Sequence, residues 1–330
     1  MKQLLRLPRA TLISSICAAL ILIFGFFYTH KFKADPTVSY PLYPTVGFYP
    51  ENGSTDHIIP FNLNGFMFVG SSFGRRSVYS IFDTGSVYAS CPADYVGNGT
   101  QWGSTQSFGD GLRSVRPARI CILPRVLLPN CELRNCLVTK YDRLPGETDW
   151  EVIPIVPGAV FRDMILTIDY RHSRLIAHQD VLMDTLDAPP YPENGLGKPV
   201  WLPLVPISYN GFGPYPVVKG NVNNIEVNIV IDTASPGGIW ILNRSLFPRF
   251  KHISPTPDAI FMKVLTTGSG KKMTWRIGGI SGMSPVVLHP KPYMGDTYRG
   301  IDASVGNATL RNYRITIDYP NKRVCFERYL

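Results

Sequence analysis

The sequence predicts an all-β protein of two related lobes, preceded by an N-terminal transmembrane helix. Three observations lead there. Short Val/Ile/Thr/Tyr/Phe runs are punctuated by 29 Gly and 29 Pro, a composition of many strands and turns. A stretch also occurs twice: Ser80-Ile81-Phe82-Asp83-Thr84-Gly85-Ser86 is echoed by Val230-Ile231-Asp232-Thr233-Ala234-Ser235. Downstream, Thr167-Ile168-Asp169-Tyr170 returns as Thr316-Ile317-Asp318-Tyr319, and 169 − 83 and 318 − 232 are both 86. Matched blocks at one spacing indicate a duplicated half, and 330 residues suffice for two cores. Finally, residues 11–28 carry no charge and are long enough to cross a hydrocarbon layer of about 30 Å.

Taken in order, Lys2, Arg6 and Arg9 precede the apolar run, and His30, Lys31 and Lys33 follow it. Phe26-Phe27-Tyr28-Thr29-His30 lacks the small residues of a cleavage site, so residues 1–33 are expected to be a cytoplasmic tip and an uncleaved signal anchor. The body is then exported, a single-pass membrane protein with a monomeric ectodomain. N-x-[ST] acceptors at Asn52, Asn98, Asn243 and Asn307 fit export. Residues 34–56, with Pro36, Pro41, Pro44 and Pro50, read as a stalk. The N-terminal lobe is expected over 57–186 and the C-terminal lobe over 187–330, joined through the Pro- and Gly-rich stretch 181–200. Gly70-Ser71-Ser72-Phe73-Gly74 matches G-x-S-x-G in spelling, but that motif needs a helix after it. Here strand-like runs flank it, which predicts a hairpin turn.

Hydrophobic residues at 45% and charged residues at 17% describe a globular chain. The net charge is +9, yet no basic stripe interleaves with aromatics, so nucleic-acid binding is not expected. None of the six cysteines forms C-x-x-C or lies at zinc spacing from a histidine, and the six histidines show no ligand spacing. No metal and no cofactor are expected. Cys17 lies in the apolar segment. Cys131 with Cys136 and Cys91 with Cys121 could pair as disulfides, leaving Cys325 over.

An aspartate at the end of an apolar strand is costly to leave unpaired, and its ordinary role is to cap a turn. Two of them in duplicated units suggest more. If a twofold axis relates the halves, Asp83 and Asp232 meet there and compete for one proton. One then serves as base and the other as acid, activating a water against a carbonyl. Thr84 and Thr233 can cross-link the turns through hydroxyl-to-backbone bonds. Gly85 admits close approach of the opposite acid, and Ser86 and Ser235 can each donate to a carboxylate.

Asp83-Thr84-Gly85-Ser86 and Asp232-Thr233-Ala234-Ser235 resemble the two active-site motifs of pepsin-like aspartic proteases. Val152–Gly158 and Gly300–Gly306 are similar to the family's apolar-apolar-Gly strands beneath the catalytic loops, with Gly158 matching Gly306. Phe108-Gly109-Asp110-Gly111 resembles its flap tip. The resemblance covers most of 57–330. It implies a bilobal fold of two β-barrel-like lobes with a cleft between, a peptide or protein substrate held in that cleft under the flap, and Asp83 and Asp232 as the catalytic pair. Three departures accompany it: Ala234 stands for a glycine, Phe108 for a tyrosine, and the body is short. They leave a second reading open, the same fold as an inactive peptide- or glycan-binding protein. A glycoside hydrolase, with Trp201, Trp240 and Trp275 as sugar platforms, is a third.

Overall fold

The computed structural model describes residues 45–48, 56–86, 88–96, 101–108, 116–143, 153–178, 194–207, 215–251, 253, 271–289 and 300–330. These lie within a compact unit, Pro41–Leu330. The membrane-anchor expectation for 11–28 falls outside them. Among the described residues no helix is long and apolar enough to cross a membrane.

The described part is almost entirely β. The first half carries β1 (Thr45–Phe48), β2 (Asp56–Asn64), β3 (Phe66–Phe73), β4 (Arg76–Asp83), β5 (Ala89–Pro92), β6 (Gln101–Phe108), β7 (Arg116–Leu128), β8 (Cys131–Tyr141), β9 (Ile155–Pro157), β10 (Ile165–Asp169) and β11 (Arg174–His178). The second half carries β12 (Val200–Pro203), β13 (Val217–Val222), β14 (Ile225–Ile231), β15 (Ile239–Ile241), β16 (Lys271–Ile277), β17 (Ile280–Leu288), β18 (Ala303–Val305), β19 (Tyr313–Asp318) and β20 (Arg323–Arg328).

The strand pairings show the duplication. Strands β13-β14-β18-β15-β17-β16 close a barrel. In the first half, β3-β4-β9-β5-β8-β7 follow the same path, and β7 pairs back onto β3. Even the sense of pairing repeats. β4 runs parallel to β9 and β5 to β8, as β14 does to β18 and β15 to β17. Alternating burial drives this: β3 reads half-buried then buried along its length, and β16 exposes every second residue over most of its run.

Between the rings lies an antiparallel platform, β2-β11-β10-β19-β20-β12. At its centre Thr167 stands opposite Thr316, and their hydroxyls hydrogen-bond at 3.0 Å. The Thr-Ile-Asp-Tyr repeat therefore sits on the twofold axis. Its aspartates cap equivalent hairpins. Asp169 accepts from the His172 amide and ring, Arg174 Nε and the Tyr329 hydroxyl, while Asp318 accepts from the Asn321 amide and side chain and from Arg323 Nε. Each hairpin turns through one residue in the left-handed region, Ser173 and Lys322, both at φ 52°.

Several expectations are corrected. Within the proposed stalk, Thr45–Phe48 is a strand paired with Cys131–Arg134, because the β8 edge offers unpaired backbone groups there. The hairpin after Gly70 turns only at Gly74 (φ 59°) and Arg75. Strand β3 runs through Phe73, and the buried Ser71 hydroxyl bonds to Ser80 at 2.5 Å. The five described cysteines are free and buried, so no disulfide forms among them. They pack as small apolar side chains, and burial pushes the thiols up, to about 11 at Cys121 and about 12 at Cys131 and Cys325. Asn307 is 2% exposed and its amide is fully engaged, so it cannot accept a glycan, and the Asn243 amide donates to Asp302 at 2.7 Å. Asn52 and Asn98 lie outside the described residues.

Burial alone would push the Asp169 carboxyl up, but the bonds from His172, Tyr329 and Arg174 hold it below the usual value. A depressed carboxyl adds stability that is present above the unfolded pKa of about 3.9 and lost as pH falls through the folded one. Asp169→Asn is expected to cost about 1–3 kcal/mol at pH 7 in urea unfolding, discounted for its half-exposed partners, and to flatten the loss of stability below about pH 4.

Candidate active site

Two strands deliver one acid each to the axis. β4 ends at Asp83 and β14 ends one residue before Asp232. In both halves the chain then reverses in a short turn closed by a backbone bond, Ser86 to the Asp83 carbonyl and Ser235 to the Asp232 carbonyl. Each carboxylate accepts the amide two residues on, Gly85 N–H at 2.8 Å and Ala234 N–H at 3.0 Å. The alanine therefore keeps the bond that the glycine makes.

The turns are locked to each other by Thr84 and Thr233, both buried. The Thr84 hydroxyl donates to the Ile231 carbonyl at 2.6 Å and accepts the Thr233 amide at 3.1 Å. The Thr233 hydroxyl donates to the Phe82 carbonyl at 2.7 Å and accepts the Thr84 amide at 3.1 Å. Each hydroxyl thus serves once as donor and once as acceptor across the axis, so the two hydroxyls and the four backbone groups they meet are all paired.

Asp83 and Asp232 are half-buried. A Cβ placed on Gly85 would lie 3.2 Å from Asp83 Oδ1 and 3.5 Å from Asp232 Oδ1, so both acids crowd one point. Burial pushes Asp232 up to about 6, against the backbone bonds from Ala234 and Ser235. Burial, and then the charge of Asp232, push Asp83 well above the carboxylate range. Like charges this close, with little water, cannot both ionise readily.

The strands beneath the turns are shifted by one residue from the expected match. Asp83 pairs with Pro157, and Ile231 with Val305, so the Asp232 amide reaches the Val305 carbonyl. Pro157 thus corresponds to Gly306, and Gly158 to Asn307. Gly158 must be glycine because a Cβ there would lie 2.7 Å from Thr84 Cα. Gly306 is confined in another way: a Cβ there would lie 2.5 Å from the Ser235 carbonyl oxygen. Asn307 donates to the Thr233 carbonyl at 2.7 Å and the Gly65 carbonyl at 2.9 Å, and accepts the Tyr170 hydroxyl at 2.8 Å. This tie between the second acid's turn and the first half has no local sequence signal. Only the 149-residue offset could have pointed to it, and the glycosylation spelling drew attention elsewhere.

Other expectations fall differently. Ser86 donates to the Tyr88 carbonyl at 2.9 Å rather than to a carboxylate. The Ser235 hydroxyl is buried with no hydrogen-bond partner among the described residues. Both carboxylates already hold their own turns' amides, so the serines are not needed there. Phe108 ends β6 opposite Arg116, and Gly109, Asp110 and Gly111 lie outside the described residues. Trp240 and Trp275 are buried, and the Trp201 face is covered by Arg323 at 4.5 Å, so none is an open sugar platform. Among the described residues no three His, Cys, Asp or Glu side chains group as a metal site.

No family model matches the chain. No curated protein matches it. Among solved structures, the aspartic proteinase from Irpex lacteus is similar, with TM-score 0.49 and 13% identity over 83% of this chain and 97% of that one.

Thr233→Val keeps the shape and deletes the hydroxyl, orphaning the Phe82 carbonyl and the Thr84 amide. It is expected to cost about 2–4 kcal/mol in chemical denaturation, whereas Thr233→Ser should recover most of that.

Proposed function

We propose that this chain is an aspartic-type endopeptidase, anchored in a membrane through residues 11–28 with its body exported, hydrolysing peptide bonds with the Asp83–Asp232 pair. The observation that carries the reading is the crossed threonine floor with two acids crowded on one point above it. Two lobes, 57–186 and 187–330, would flank an extended peptide.

Burial raises both carboxyls, so the pair shares one proton. The ionised member takes a proton from a water as its oxygen attacks the substrate carbonyl carbon, and the protonated member gives its proton to the carbonyl oxygen. The member that took the water's proton gives it to the amide nitrogen, a gem-diol hydroxyl returns its proton to the other member, and the C–N bond breaks to release an amine and a carboxylic acid. The retained Ala234 amide bond supports hydrolysis over the binding-only reading, since the methyl group leaves the Asp232 turn closed.

The full chain in detergent should cleave a denatured protein mixture, and a statine-type inhibitor should block it. Asp83→Asn and Asp232→Asn are each expected to lower the rate about 10²–10⁴-fold. Cleavage undiminished in either variant sinks the assignment, and inhibitor binding without cleavage favours the binding-only reading. The pH profile should be bell-shaped. Its acid limb lies at about 6, where the pair loses its first proton, and its alkaline limb lies higher, where the second leaves.

A further inference from the structure

Away from both acids, a cavity of about 820 Å³ opens between the helical turn Asn307–Leu310, strands β16 and β17, and the chain around Arg328. Its volume is that of a small-molecule site. Its charge is one-sided. Lys272, Arg311 and Arg328 line it and no carboxylate does. Among the described residues none of the three is in an ion pair. Glu327, next to Arg328 in sequence, is held by Arg314 at 2.7 Å. All three cations are exposed, and they come from three separate elements, β16, the end of the helical turn and β20.

The wall adds a second feature. Trp275 is 5% exposed and lines the cavity, yet its indole N–H has no hydrogen-bond partner among the described residues. Gly282, also in the lining, packs against that edge: a Cβ there would lie 3.0–3.2 Å from the indole. Arg328, whose charge acts on the neighbouring Tyr313 hydroxyl, faces the same space. Met283, 65% exposed, supplies an apolar edge.

We propose that this cavity binds a small molecule bearing two or more phosphate groups. Three cations from separate elements give the charge and spread for several phosphoryl oxygens, with guanidinium forks suited to them. The exposed Met283 side chain gives the organic part an apolar edge.

The test is calorimetric titration of the full chain in detergent with sodium tripolyphosphate. Saturable binding that weakens with added salt is expected. Lys272→Gln, Arg311→Gln and Arg328→Gln should each weaken it about tenfold, and the triple variant about 100-fold or more. Arg276→Gln, exposed on the same strand but outside the cavity, should leave it unchanged. The substituted side chains are all exposed, and circular dichroism checks that the variants fold. No saturable binding by the wild type, a triple variant within twofold of it, or an equal loss in Arg276→Gln overturns the proposal. Displacement of tripolyphosphate by vesicles containing phosphatidylinositol bisphosphate, but not by pure phosphatidylcholine, assigns the phosphates to a lipid headgroup. Binding without displacement assigns them to a soluble ligand. Since neither acid lines the cavity, failure here leaves the protease reading intact.

Discussion

The site depends on a pair of threonine hydroxyls that exchange partners across a twofold axis. Each turn that carries an acid would otherwise present a buried amide and a buried carbonyl to the other half. The Thr84 and Thr233 hydroxyls satisfy all four groups at 2.6–3.1 Å. That pairs the buried groups of the floor, and it sets the acids where the burial of each matters to the other. The raised carboxyl values follow from this floor rather than from any property of aspartate itself.

Around the axis the two halves are the same construction with different fillings. Both have a six-strand ring, a parallel strand beneath the acid, and an aspartate-capped hairpin. The match breaks at the residue after that parallel strand's end, where Gly158 corresponds to Asn307. In the second half the Asn307 side chain takes the Tyr170 hydroxyl and ties it to the Thr233 carbonyl. Tyr319, the counterpart of Tyr170, faces a half whose equivalent residue has no side chain. Its buried hydroxyl has no partner among the described residues. Tyr319 is close enough for Asp83 to act on it, as Asp232 acts on Tyr170. The two acids therefore sit over different polar surroundings.

Much of this was legible in the chain. The repeated Asp-Thr-Gly-Ser and Asp-Thr-Ala-Ser turns, the second Thr-Ile-Asp-Tyr echo and the equal spacing between them indicated a duplicated β fold with paired acids. These features are local: strand periodicity, turn chemistry and a count of residues. Other local spellings misled. Cysteines at loop-closing distances are thiols in an apolar core, and an N-x-T sequon is a buried strut. The glycine match between the halves was off by one, because Pro157 occupies the strand end that Gly306 occupies in the other half.

The amino-acid order by itself determined that there are two alike halves, that each ends a hydrophobic strand in an acid, and that small hydroxyl residues follow. Only the folded chain decided which hydroxyl meets which carbonyl, which asparagine is buried and which cations line one cavity. The reason is distance along the chain. The decisive bonds join residues 137 to 151 positions apart, and no pattern within a strand or turn encodes a partner that far away.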